Sequence, residues 1–193
     1  MSKTERLNIL YGRYKEEFDG KEIVTGDGNP DSSLLLIGEA PGKDEVAQAK
    51  PFVGMAGKNL AQFLDILGLN REGIYITNAI KHRLSKTNPD TGRVSNRPAT
   101  KEEIDQNRKY IIEEIDIINP KYIVTLGNVP LRSVLRDHKA SIGQRHGSIN
   151  NVDVKDKEYK LYPLYHPASI IYNAALKDVY LKDIENLRQI LNQ

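Results

Sequence analysis

The sequence predicts an α/β domain, a three-layer α/β/α sandwich around a mainly parallel central sheet, and two observations carry that prediction. Apolar runs of strand length recur at residues 34–37 (LLLI), 74–77 (IYIT) and 122–126 (YIVTL), each closing on a glycine or an asparagine. The stretches between and after them place apolar residues at helical spacing. Strands alternating with helices imply right-handed crossovers, and crossovers of that kind make parallel pairs covered by helix on both faces. The 193 residues suffice for one compact domain, expected to span 1–193.

The elements follow in order. Residues 34–37 form a continuous apolar run ending at Gly38, the pattern of a strand buried on both faces. Residues 57–67 carry Leu60, Phe63, Leu64 and Leu67 on one helical face, and Gly68 supplies the stop. A second strand over 74–77 ends at Asn78. Residues 84–98, with Asn88-Pro89, Thr91-Gly92 and Arg97-Pro98, show little periodicity and read as a long loop. Thr100 and Glu103 have the spacing of a capping box, and the helix behind them carries Ile104, Ile111, Ile112, Ile115 and Ile118 before Pro120 ends it. The strand at 122–126 closes on Gly127-Asn128 and precedes a basic amphipathic helix. Residues 142–165 read as two strands around a polar turn at Asn150-Asn151, running into His166-Pro167, and a last helix covers about 176 to 191.

Composition excludes several classes of chemistry. With no cysteine there is no disulfide framework, thiolate metal site or cysteine nucleophile. No apolar run approaches the ~20 residues of a membrane span, and the charged N-terminus lacks a signal-peptide core, so a cytoplasmic location is expected. The net charge of +2 points to no particular partner. Its distribution is more telling: Lys81, His82, Arg83, Lys86, Arg93 and Arg97 share one segment with a single acid, Asp90. A second basic stretch runs from Arg132 to His146. Patches of this kind hold phosphates or simply form a solvated face.

Polar or special residues stand at the carboxyl ends of the first, second and last strands. In open α/β sheets that edge binds ligands, so Glu39, Asn78 and His166 are expected in one site. Gly38-Glu39-Ala40-Pro41-Gly42 reads as a tight turn, either purely structural or one that leaves backbone N–H groups free to face a ligand, and it holds a carboxylate that could position water.

These motifs carry a resemblance. The runs GDGNPDSSLLLIGEAPGKDE, KPFVGMAGKNL, YITNAIKHR, NRPAT, YIVTLG and YHPAS follow one another over residues 23 to 172. In that order they resemble the bacterial and archaeal family 4 uracil-DNA glycosylases. The resemblance implies hydrolysis of the bond between a deaminated base, foremost uracil, and its sugar in DNA; a monomer is the default expectation. It implies that Glu39 lines the base pocket near the attacking water and that His166 is the second catalytic residue. It places Ala40, Glu45, Phe52 and Asn78 around the base, Phe52 stacking on it and Asn78 reading its edge. Lys81, Arg83, Arg97, Ser169 and Ile170 are the expected DNA contacts. Hypoxanthine or xanthine as the base, or a silent nucleic-acid-binding module, are the alternatives.

The family's enzymes resemble one another in four cysteines that hold an iron–sulfur cluster. Here those positions fall near Tyr11, Tyr14, His82 and Gln106, so no cluster and no other cofactor is expected. Tyrosines there are expected to supply packing, with their hydroxyls finding polar partners.

Overall fold

The computed structural model describes residues 1–172 and 175–192, and the side chains of all of these except 170–172. In chain order the elements are α1 (Lys3–Glu17), β1 (Asp27–Gly28), β2 (Leu34–Gly38), α2 (Lys43–Gln48), α3 (Gly54–Leu67), β3 (Tyr75–Asn78), β4 (Ser85–Thr87), β5 (Val94–Asn96) and α4 (Lys101–Ile118). There follow β6 (Tyr122–Leu126), α5 (Asn128–Leu135), α6 (Ile142–Arg145), β7 (Asn150–Val154), β8 (Lys157–Leu164), α7 (Pro167–Tyr172) and α8 (Leu176–Leu191).

The main sheet has the order β1-β3-β2-β6-β8-β7. Its four central strands are parallel, and β1 and β7 flank them as antiparallel edges. Side chains alternate between its faces, as the strand period requires. Leu35, Ile37, Ile123 and Leu161 pack into one core with Leu7 and Leu10 of α1, Ile111 and Ile115 of α4 and Leu131 of α5. Leu34, Leu36, Val124 and Leu164 face the other way, into a core with Leu60 and Phe63 of α3 and Ile184 and Leu187 of α8. The predicted three-layer sandwich is therefore the observed architecture. The Thr100/Glu103 capping box is present, and α4 ends in a left-handed Asn119 just before Pro120.

Three local expectations give way. The segment read as a loop at 84–98 contains a small hairpin, with Ser85 opposite Asn96 and Thr87 opposite Val94. Its strands are polar and three residues long, so no apolar alternation announces them. Asn88 organises the turn by accepting the N–H groups of Asp90 and Thr91 on its side chain. Second, the turn between the last two strands lies at Lys155-Asp156, both left-handed, and Asn150 and Asn151 belong to β7. The buried alternation of Val152 and Val154 sets that register. Third, α1 was not expected: its buried stripe of Leu7, Leu10, Tyr11 and Tyr14 is narrow and set among charges.

Candidate active site

Because β2, β3, β6 and β8 are parallel, their carboxyl ends open on one edge. Gly38 pairs with Asn78, the Ala79 N–H donates to the Gly38 carbonyl at 2.8 Å and the Ile80 N–H to that of Glu39 at 3.0 Å. At the next crevice the Gly127 N–H donates to the Leu164 carbonyl at 2.8 Å. Two adjoining cavities lie over this edge, sharing Ala40, Asn96 and His166 as walls. One, of about 210 Å³, adds Glu39, Leu84 and Arg97. The other, of about 180 Å³, adds Gly42, Glu45, Phe52 and Asn78. The four groups singled out from sequence thus line two adjoining cavities, Glu39 one, Phe52 and Asn78 the other, and His166 both.

The loop from 38 to 54 shapes that space. A Cβ on Gly38 would lie 2.5 Å from Asn78 Oδ1 and 2.5 Å from Phe52 Cζ, so glycine lets the amide and the ring approach the strand end. Phe52 is buried and left-handed, with φ of 52°. Bulky residues adopt that conformation only under outside constraint, and such constraint collects at functional sites. Arg71 supplies it here, donating from Nη1 to the Phe52 carbonyl at 3.0 Å and from Nη2 to that of Pro51. Glu45 supplies the rest: Oε2 accepts the Gly42 N–H and Oε1 the Val53 N–H, each at 3.0 Å. Glu45 therefore lines the second cavity as the brace of its loop, with both carboxylate oxygens already engaged.

Charge at the site follows from burial. Desolvation pushes the Glu39 carboxyl above its ordinary value of 4.5, against a smaller opposing contribution from the Ala99 backbone. Desolvation likewise holds the His166 imidazole below its ordinary 6.5. Its Nδ1 accepts the Ala168 N–H at 3.1 Å, so the proton of the neutral ring resides on Nε2. The Ser169 N–H and hydroxyl both donate to the His166 carbonyl, at 2.8 Å and 2.6 Å, and lock the turn into α7. The ring is thus a neutral donor held in one orientation.

Asn96 was missed from sequence because it lies in a segment read as irregular. It ends β5 and walls both cavities. Arg83 Nε donates to its Oδ1 at 3.0 Å, which leaves the Nδ2 donors free.

Among the expected DNA contacts Lys81 needs correction. Lys81 is fully buried, with Nζ 2.6 Å from Glu114 Oε2, 3.0 Å from the Asn78 carbonyl and 3.1 Å from Thr77 Oγ1. An ammonium enclosed by three acceptors beneath the sheet edge reaches no phosphate. Arg83 is turned to Asn96 and to Glu22. Arg97 stands at the cavity wall but forks onto both oxygens of Glu103 and holds that carboxyl down at about 2. Ser169 uses its hydroxyl on the turn after His166. The side chain of Ile170 lies outside the described residues. In the second basic stretch, Arg132 donates to the Ala140 carbonyl, His138 meets Asp105 and His146 meets Asp183.

The positions aligned with the cluster cysteines do not fit an iron–sulfur cluster. Tyr14 hydrogen-bonds His82 Nδ1 and Asn107 and accepts the Lys81 N–H. Its ring stacks on Phe18 at 4.5 Å and meets Tyr110 edge-on at 4.7 Å. Tyr11 donates to Glu114 and bonds Tyr75. Gln106 is exposed. The tyrosines pack and find polar partners as expected, and the set offers two phenols, an imidazole and an amide, of which the phenols and the imidazole Nδ1 are already hydrogen-bonded. Among the described residues no group of three or more His, Asp or Glu gathers as a metal would need, and no helix is long and apolar enough to cross a membrane.

With this geometry in place, comparison with known proteins is specific. The profile of the Uracil DNA glycosylase superfamily matches residues 25–188. The chain is similar to the type-4 uracil-DNA glycosylase of Sulfurisphaera tokodaii, 35% identical over 86% of this chain and 74% of the relative. The type-4 enzyme of Archaeoglobus fulgidus is 34% identical over 86% of this chain and 81% of the relative. That of Thermotoga maritima is 33% identical over 100% and 98%.

Proposed function

The chain belongs to the uracil-DNA glycosylase superfamily, and we propose that it extrudes uracil from DNA into the cavity lined by Phe52 and Asn78 and hydrolyses its N-glycosidic bond. The observation that supports this most is the convergence of Glu39, Phe52, Asn78 and His166 on two adjoining cavities at the carboxyl edge of the sheet. A base inside a duplex is out of reach, so it must be flipped, at a cost of a few kcal/mol. Stacking on Phe52 returns about 1–3 kcal/mol without regard to base identity. Identity comes from Asn78: its amide accepts from uracil N3–H and donates to O4, whereas cytosine presents the opposite pattern. By analogy with bidentate base reading this discriminates by roughly 1–3 kcal/mol.

Cleavage breaks the bond between the sugar C1′ and the base N1, and the electron pair leaves with the base. Positive charge grows on the sugar and negative charge on the uracil, as in other oxocarbenium-like transition states. His166 Nε2–H donates to the developing charge on uracil O2. Ionised Glu39 faces the cationic sugar and takes the proton of the water that attacks C1′. On this proposal the protein works as a cytoplasmic monomer, and every step rests on side chains rather than on a cofactor.

Oligonucleotides carrying uracil, hypoxanthine or xanthine, single- and double-stranded, test the proposal through alkali-labile abasic sites. Uracil strands should be cleaved. Cleavage confined to the purines, or none by folded protein, would overturn it.

The pH dependence follows from the two buried groups. Glu39 must be ionised and His166 neutral, so kcat should fall on the acid side, as the raised Glu39 carboxyl takes up its proton. Glu39→Gln should remove the Glu39 contribution to that limb, leaving the one from His166 protonation, together with about 10²–10⁴-fold of the rate. Gly38→Ala is a steric test: the added methyl must displace the Asn78 amide or the Phe52 ring. A shift of that size costs about 10²-fold in kcat/KM, and an unchanged rate would show that neither group touches the base.

A further inference from the structure

Of the cations in the segment 81–97, the three expected to meet DNA are engaged within the protein: Lys81 with Glu114, Arg83 with Asn96 and Arg97 with Glu103. Two others, Lys86 and Arg93, are exposed, and neither side chain has an ion-pair or hydrogen-bond partner among the described residues. Both belong to the β4–β5 hairpin. The register puts Lys86 opposite Ser95 and Thr87 opposite Val94. The next pair is Asn88 with Arg93, joined by the Asn88 N–H to the Arg93 carbonyl at 2.9 Å.

Residues directly opposite one another share a face, and faces alternate along the strand. Lys86, Asn88, Arg93 and Ser95 therefore stand on one face, and with Thr87 and Pro89 at the rim of the turn they line a concavity of about 360 Å³. The other face carries Ser85, Thr87, Val94 and Asn96, the last of which walls both active-site cavities. The hairpin is rooted at the site, where the Arg97 N–H donates to the Leu84 carbonyl at 3.0 Å. Two unpaired cations, an amide and a hydroxyl around one hollow match the oxygens of a phosphodiester in charge and donor chemistry.

We propose that the β4–β5 hairpin is a strand clamp, its Lys86–Arg93 face holding a backbone phosphate of the DNA strand beside the nucleotide whose base enters the cavity. This rests on the glycosylase reading for which strand is held, and on charge and geometry alone for the phosphate. With a net charge of only +2, the grip on a polyanion has to come from local cations such as this pair.

Equilibrium binding of a fluorescein-labelled single-stranded oligonucleotide, measured by anisotropy over a salt series, tests the clamp independently of turnover. Each lost phosphate contact reduces the slope of log Kd against log salt by about 0.7 on a single strand. Lys86→Ala/Arg93→Ala should flatten the slope by about 1.4 and weaken binding at least tenfold at 50 mM salt, at roughly the effect seen for phosphate contacts elsewhere. A double variant of two other exposed lysines, Lys121→Ala/Lys139→Ala, removes the same charge outside the hairpin and should leave the slope unchanged. Equal slopes in the hairpin variant and the wild type, or equal losses in the two double variants, would overturn the clamp. Wild-type cleavage of uracil with an unaltered slope would leave the enzyme and remove the clamp, whereas a flattened slope without cleavage would do the reverse.

Discussion

His166→Ala is expected to lower kcat for uracil excision by about 10²–10³-fold, the usual cost of removing one donor aimed at a developing anion. The size follows from how the ring is held. A neutral imidazole gives little stabilisation to ground-state uracil and more as charge builds on O2, so the loss should appear in kcat rather than in KM. The Ala168 N–H on Nδ1 and the desolvated surroundings keep the ring in that state without a carboxylate partner. Single-turnover excision with circular dichroism as a control measures the effect, and a variant within fivefold of wild type would remove His166 from the mechanism.

The same variant has a second signature. Burial lowers the folded-state pKa, so below about pH 6.5 the unfolded chain binds more protons than the folded one, and stability falls as pH drops through that window. His166→Ala removes this dependence, and urea midpoints at pH 7 and pH 5 should lie closer together than in the wild type.

How much of this was legible in the sequence depended on whether a segment's chemistry is local. LLLI and YIVTL are apolar on both faces because helices cover both, and that environment is written into every residue of the run. Thr100 and Glu103 announce α4 because a cap needs only its own four residues. Glu39, Phe52, Asn78 and His166 were recognisable through ordered motifs, and parallel pairing brings their strand ends together. The β4–β5 hairpin was hidden because its register comes from backbone hydrogen bonds and an Asn88 turn rather than from buried side chains. Asn96 was hidden with it. The fate of each cation was equally illegible, since whether a lysine meets solvent or a carboxylate 33 positions away is a property of the assembled layers.

Lys81→Met is expected to destabilise the protein by about 3–5 kcal/mol, because it strands a buried carboxylate. Lys81 and Glu114 are both fully buried, and the ammonium finds three acceptors: Glu114, Thr77 Oγ1 and the Asn78 carbonyl. Glu114 also accepts from Thr77 and from Tyr11, whose hydroxyl bonds Tyr75. The pair thereby ties α1, α4 and β3 at a single point. On a domain worth about 5–15 kcal/mol in total, its rupture threatens the fold. Removing both charges is a different experiment. Lys81→Met/Glu114→Leu leaves no unpaired ion, and replacing a buried pair by apolar groups is often close to neutral, so most of the lost stability should return. Activity should not return with it if Asn78 reads the base as proposed, because the donor to the Asn78 main-chain carbonyl is gone. Urea unfolding and excision kinetics on the single and double variants separate the two effects. A single variant within about 1 kcal/mol of wild type would show that the pair is not structurally required, and a double variant with full kcat/KM would show that Asn78 is positioned without it.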